Sequence, residues 1–483
     1  MFKKISNLLS TESSLGQTIF KNTFWLSVSE ISGRLIRALL IIYAARVLGT
    51  HDFGIISYAL SVSALFAIFA EMGLSGLVTR EGSKNPEMRG VYFSTALSIK
   101  TTLTIMSALA MLFGTKYLTE IDINNTLLYF VVALFIFDSL RGFSAGIFRA
   151  EEKIEKEAIL NIVTQALVLI IGFWALIKFK SPESLAFAYA LGSGLGLIFA
   201  IYLTRNYLKK FLIDFNPKII KNILYSAWPY SVAGILGIIM LNTDAVMLGW
   251  FTDASAIGLY SAAQKPILLL YIIPSFIAGG FFSSFARFAN TDKEKFRNML
   301  QKSITSILLI ALPITSGIFF LSQEIISLLY GEAYLGATSS LQILSLSILT
   351  TFPLSLIANA AFALNEQKNL IIFGVAGVIL NAVLDFALIP IYGILGCAIA
   401  TLVSQIISNT FLWMRIKHLN YFAVFPYLAK IILSTIIMSI SLLILVYYNF
   451  SIILIIPYAI IIYFGLLIIL KEKLLIEINN LFK

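Results

Sequence analysis

Charge is scarce in this sequence. Only 12% of the 483 residues are Asp, Glu, Lys or Arg, about half the roughly 25% of an average soluble domain. So few charges cannot cover the surface of a globule this size, which excludes a soluble enzyme. With 59% hydrophobic residues, the chain is equally unlike a disordered one. Cysteine occurs once, as Cys397 inside an apolar run, so no intramolecular disulfide and no thiolate metal site is expected. The two histidines, His51 and His418, lie far apart and offer no metal-ligand spacing. Neither G-x-x-x-x-G-K-[ST] nor H-E-x-x-H occurs, which argues against ATP hydrolysis. No catalytic residue, metal or cofactor is expected.

What is present is a series of apolar runs of about 20 residues, each long enough to cross a bilayer as a helix. Fourteen can be placed, so the expected fold is an all-α integral membrane protein. Its predicted parts are a surface segment (1–18), six spans (19–207), a basic linker (208–222), six more spans (223–414), two extra spans (415–470) and a tail (471–483). The N-terminal segment lacks a signal-peptide pattern. Phe2, Ile5, Leu8 and Leu9 beside Lys3 and Lys4 suggest an interfacial helix instead. The net charge of +10 would suggest nucleic acid in a soluble protein. Here it reports topology: 27 of the 35 basic residues fall on one side of the fourteen-span map, four on the other and four within spans. This bias places both termini in the cytoplasm. The protein is therefore expected in the cell membrane, without a nucleic-acid partner.

The second span opens with Gly54-Ile-Ile-Ser57-Tyr-Ala59 and the eighth with Gly258-Leu-Tyr-Ser261-Ala-Ala263. The same G-x-x-S-x-A pattern at the same place in successive six-span halves points to a parallel pseudo-repeat of two lobes. The stretch Arg46-Val-Leu-Gly49-Thr-His-Asp-Phe-Gly54-Ile-Ile-Ser57, followed by Gly73-Leu-Ser-Gly76 and Arg80-Glu81, resembles the opening of the polysaccharide-biosynthesis membrane proteins, the Wzx-type flippases. Leu329-Tyr-Gly331-Glu-Ala-Tyr334 and the segment from Asn381 through Asp385, Pro390 and Gly393 to Thr401 add to the likeness. This resemblance implies a V-shaped, MATE-like fold of the superfamily that also holds lipid II flippases and multidrug exporters. It also implies alternating-access flipping of a polyprenyl-pyrophosphate-linked oligosaccharide. Such a protein would be expected to meet membrane lipids and glycan-assembly partners and to act as a monomer. A cation-coupled MATE-type drug or metabolite exporter is the alternative.

Charges at bilayer depth are costly, so they usually face a cavity or a partner. Glu30, Arg34 and Arg37 share one face of the first span at i, i+4, i+7. Arg34 sits roughly 22 Å along that helix at 1.5 Å per residue. With Lys265, next to Pro266, and Lys100 they are candidates for a cationic site, because guanidinium and ammonium groups bind phosphate oxygens. The competing reading is a structural Glu30–Arg34 pair. A drug cation would want an acidic site instead. Asp244, Glu71, Glu30 and Asp385 are candidates for coupling to H+ or Na+ through a raised pKa, with local salt bridging as the plainer alternative. Asp138, with Arg141 at i+3, already has a partner. Asn161 with Gln165, and Gln264, could contact sugar hydroxyls or hold helices together. Gly192-Ser-Gly194-Leu-Gly196 lies in an apolar span with no preceding strand, which points to helix packing rather than a nucleotide loop.

The charge bias makes a topology prediction. In a Cys397→Ser background, an impermeant thiol reagent applied to intact cells should label Lys180→Cys and leave Lys209→Cys unlabelled. The opposite pattern would invert the assignment.

Overall fold

The computed structural model describes residues 15–118, 121–289, 291–472 and 474. Phe2, Ile5, Leu8 and Leu9 of the expected interfacial helix lie outside these residues. The described residues form helices and turns, with no strand among them. Contacts gather the chain into two units, Met1–Gly258 and Leu259–Lys483.

The first unit contains α1 (Leu15–Glu71), α2 (Leu74–Lys84), α3 (Arg89–Leu118), α4 (Asn125–Ala150), α5 (Ile154–Phe179), α6 (Pro182–Leu208), the short α7 (Phe211–Asp214) and α8 (Ile220–Phe251). Here α4 and α5 pack on α6, α1 packs on α5 and α8, and α2 and α3 pack on α4. Polar residues mark the helix starts. Asn124 accepts the Leu127 N–H at 2.8 Å to cap α4. Ser181 caps α6 ahead of Pro182, whose fixed φ suits the first helical position.

α9 (Ala254–Leu270) leads into the second unit, which continues with α10 (Ile272–Phe288), α11 (Lys293–Phe320), α12 (Ser322–Tyr330), α13 (Thr338–Leu346), α14 (Ile348–Ala363), α15 (Gln367–Leu419), α16 (Ala429–Tyr447) and α17 (Ile452–Ile469). There α14 packs on α10, α11 and α15, while α16 packs on α11 and α17.

Twelve helical stretches are long and apolar enough to cross a membrane, among the described residues. Two carry more than one crossing. Lys21–Lys84 has 64 residues, or about 96 Å of helix at 1.5 Å per residue, against a hydrocarbon core of about 30 Å. Gln367–Leu419 has 53 residues. Each folds back at a glycine in a conformation closed to most side chains: Gly49 at φ 74° and Gly393 at φ 56°. Split at these points, the twelve stretches supply the fourteen expected crossings, and the Tyr392-Gly393 connection is as short as the sequence indicates. The chain is an all-α, multi-pass membrane protein.

The repeated glycines have a packing role within the first unit. A Cβ at Gly54 would lie 1.7 Å from the Ala254 carbonyl oxygen, and one at Gly258 would lie 2.0 Å from the Thr50 oxygen. Two backbones therefore meet where only hydrogen fits. Gly258→Val should cost about 3 kcal/mol through overpacking, read as a lower unfolding temperature of the detergent-solubilised protein. An unchanged midpoint would contradict this close approach.

Candidate functional site

The charged face of α1 is formed as its spacing requires. Arg34 Nε donates to Glu30 Oε2 at 3.2 Å, and both side chains remain partly exposed. Arg37, one turn further on, is exposed. Gly33 lies on the same stretch, and a Cβ there would just touch Gln165 of α5, at 3.8 Å.

A second polar node lies beside it, built from three helices. Arg141 of α4 is buried. Its Nε and Nη2 donate to Asp138 Oδ1 at 3.2 and 2.6 Å, and its Nη1 donates to Asn161 Oδ1 of α5 at 2.8 Å. Ser193 of α6 donates to the same Asp138 oxygen at 3.4 Å. The positive field of Arg37 reaches both Asp138 and Tyr189. The glycine run in α6 serves packing, as expected: a Cβ at Gly196 would lie 2.3 Å from Thr164 Oγ1 and 2.9 Å from Arg141 Cδ.

The third node sits where α1 ends. Met72 and Gly73 take positive φ, at 37° and 72°, and the helix restarts at Leu74. The break leaves carbonyls at the end of α1 without helical partners. Lys100 of α3, 1% exposed, donates from Nζ to the Ala70 carbonyl at 2.9 Å and to Glu71 Oε2 at 2.7 Å. Ser75 donates to the other Glu71 oxygen at 2.9 Å. An ammonium at a helix C-terminus also meets the negative end of the helix dipole. Two side chains given separate roles from the sequence are thus partners. Their contact spans 29 residues, so no local spacing could have revealed it.

The remaining candidates belong to both units. Asp244, in α8 of the first unit, is buried at 1% exposure. Neighbouring Asn242 and Thr243 bond back to their own helix, to Ile238 and Ile239 carbonyls. In the second unit Lys265 and Gln264 are half-buried in α9 beside Pro266. Asp385 of α15 is fully buried, with Asn381 one turn before it, also buried. A carboxylate oxygen of Asp385 lies within 4.8 Å of the Cys397 thiol. Neither unit by itself gathers three metal-ligating side chains among the described residues. The second unit also has an apolar groove of about 360 Å³ between α11 and α16, lined by Leu312, Phe320, Ile432, Ile436 and Leu443. Ser316 and Ser439 hydroxyls bond across it.

Near the ends of α4 and α5 lie two further ion pairs, one with a buried acid, Glu157. Arg149 bonds Glu157 at 2.6 Å, and Lys21 bonds Glu155 at 2.6 Å. Burial pushes the Glu151 carboxyl up, but hydrogen bonds from Tyr207 and Lys153 outweigh it and hold it below the ordinary carboxylate range.

Helices that keep ionised side chains at mid-span define a polytopic membrane protein whose interior is polar in places. Residues 19–282 match the polysaccharide biosynthesis protein family, and the chain belongs to it. It is 23% identical over 409 residues to the "Probable low-salt glycan biosynthesis flippase" of Haloferax volcanii, covering 84% of each chain. It is 23% identical over 395 residues to the capsular polysaccharide biosynthesis protein CapF of Staphylococcus aureus, covering 80% of this chain and 96% of that one. The structure of the lipid II flippase MurJ in an inward closed conformation is similar in fold, with a TM-score of 0.75 at 18% identity, over 93% of this chain and 99% of that one.

The Lys100–Glu71 pair is unequally buried, its side chains being 2% and 44% exposed. Glu71→Ala would strand a buried ammonium, at a cost of about 3–5 kcal/mol. Lys100→Met leaves a carboxylate that solvent still reaches, and should cost less. Thermal unfolding of the two variants should rank them in that order, and the reverse order would refute the assignment of Lys100 as the buried partner.

Proposed function

We propose that this protein flips a polyprenyl-pyrophosphate-linked oligosaccharide from the cytoplasmic to the outer leaflet of the cell membrane by alternating access. Both termini would be cytoplasmic. Family membership supports the reading, as do relatives named for glycan flipping and capsule synthesis and a fold shared with a lipid II flippase.

The observation that carries the cargo assignment is the exposed guanidinium of Arg37 on a transmembrane helix, one turn beyond Arg34. A cation at that depth needs a partner or an anionic ligand, and guanidinium forks match phosphate oxygens. Arg34 and Arg37 would hold the pyrophosphate on the first unit. Lys265 would supply a cation on the second unit at another stage of the cycle. Lys100, held by Glu71 and the Ala70 carbonyl, would add positive potential rather than a direct contact. The polyprenyl tail would stay in lipid, and the apolar groove between α11 and α16 is suited to it.

An inside-negative potential favours outward movement of anionic charge by about 2.3 kcal/mol per charge per 100 mV. Direction could come from this alone. The buried carboxylates Asp244 and Asp385, and the partly exposed Glu71 and Glu30, are where H+ or Na+ would couple. Such a transporter would work as a monomer beside glycan-assembly partners. A cation-coupled drug exporter is disfavoured, because the exposed Arg37 would repel its cargo.

In reconstituted vesicles, Arg34→Ala with Arg37→Ala should slow flipping of the lipid-linked oligosaccharide at least about tenfold, the loss expected for charge-assisted bonds. Helical content should be unchanged. Wild-type flipping by the double variant would end the cationic-site reading, and uptake of organic cations by the wild type would favour the exporter.

A further inference from the structure

Asp138 sits at the middle of α4, and the sequence explains it away through Arg141 at i+3. The geometry of the pair says more. Arg141 is the buried member, with a side chain 9% exposed, while that of Asp138 is 51% exposed. The guanidinium fork is committed to Asp138 and Asn161, and its stem is packed so tightly that Gly196 has no room for a Cβ. Arg141 is therefore fixed and cannot turn towards a ligand. Its work is to neutralise Asp138 and hold it in place.

All three hydrogen bonds to Asp138 converge on Oδ1. Oδ2 accepts none among the described residues, and the side chain is open. A carboxylate open to hydrocarbon at mid-span would cost several kcal/mol. The face of the first unit that carries it is therefore expected to be wet or occupied. Arg37 is exposed on α1, which packs on α5 close to Asn161: a Cβ at Gly33, one turn before Arg37, would touch Gln165, one turn after Asn161. Asn161 uses its carbonyl oxygen on Arg141, and its NH2 group can donate elsewhere.

This face thus offers a cation for phosphate, a carboxylate oxygen whose charge Arg141 balances, and an amide donor. A hydroxyl-rich group directly attached to a phosphate matches that set. We infer that Asp138 accepts hydroxyl hydrogen bonds from the sugar next to the pyrophosphate, with Asn161 donating to the same sugar and Arg141 as the positioning residue. This rests on the flippase reading above and adds to it where the glycan, rather than the phosphate, is recognised. The neutralising Arg141 is what permits a carboxylate here, since a free one would repel the neighbouring phosphates. A charge-balanced acceptor held this way takes sugar hydroxyls without weakening the cationic site.

The test uses the full-length protein in nanodiscs and two probes: bare undecaprenyl pyrophosphate, and the lipid-linked oligosaccharide extracted from the native cells. Wild type should bind the glycan-bearing lipid more tightly. Asp138→Asn keeps the shape of the side chain but also uncovers the Arg141 charge, which acts on the pyrophosphate of both probes alike. The ratio of affinities, glycan-bearing lipid over bare undecaprenyl pyrophosphate, should therefore fall about tenfold, the loss of a charge-assisted bond. Asn161→Ala should act in the same direction. Arg37→Gln should weaken both probes alike. An unchanged ratio in Asp138→Asn, whether both probes shift together or neither shifts, would overturn the sugar assignment. If wild type bound neither probe better than phosphatidylglycerol, the flippase reading itself would fall, a result distinct from loss of the sugar contact alone.

Discussion

The dry hydrocarbon interior sets the terms for this molecule. No water is available there to solvate a backbone amide or an ion, so each polar group must find its partner in the protein or face a wet recess. Helices satisfy the backbone over most of the chain. Where a helix is interrupted, the interruption is minimal or compensated. Gly49 and Gly393 each turn the chain with a single residue. The longer break after Glu71 is met by Lys100, whose ammonium takes up the Ala70 carbonyl.

Two of the ion pairs within the first unit share a polarity. In both, the base is buried and the acid open: Lys100 under Glu71, and Arg141 under Asp138. At the Arg149–Glu157 pair the order is reversed, with the acid buried. Burying the base lets a carboxylate be presented within an ion pair that carries no net charge. Arg37 departs from this pattern as an exposed base. The contrast separates cations committed to ion pairs from one that is exposed.

Much of the fold was readable in the sequence, because apolar length and one-residue turns are local signals. The fourteen crossings, the Tyr392-Gly393 hairpin, the Glu30–Arg34 pair and the packing role of Gly192–Gly196 all depend on neighbours within a few residues. The site was less legible, because its contacts are tertiary. Lys100 meets Glu71 across 29 positions, and Arg141 meets Asn161 across 20. Sequence spacing revealed that Asp138 and Arg141 are partners, but not which of them is buried, and that difference separates a structural pair from a presented carboxylate. Gly73-Leu-Ser-Gly76, visible as a family-like motif, is physically the restart of a broken helix against α8. A Cβ at Gly73 would lie 2.2 Å from the Ala227 carbonyl oxygen.

The single-residue bend at Gly49 bears on how the protein enters its membrane. Arg46 and the His51–Asp52 pair flank the bend, with no flexible loop to carry them across. The two apolar arms of this hairpin cannot be threaded one after the other with a slack polar segment between them. They enter the bilayer most readily as one folded-back hairpin, so the two halves of Lys21–Lys84 are committed together.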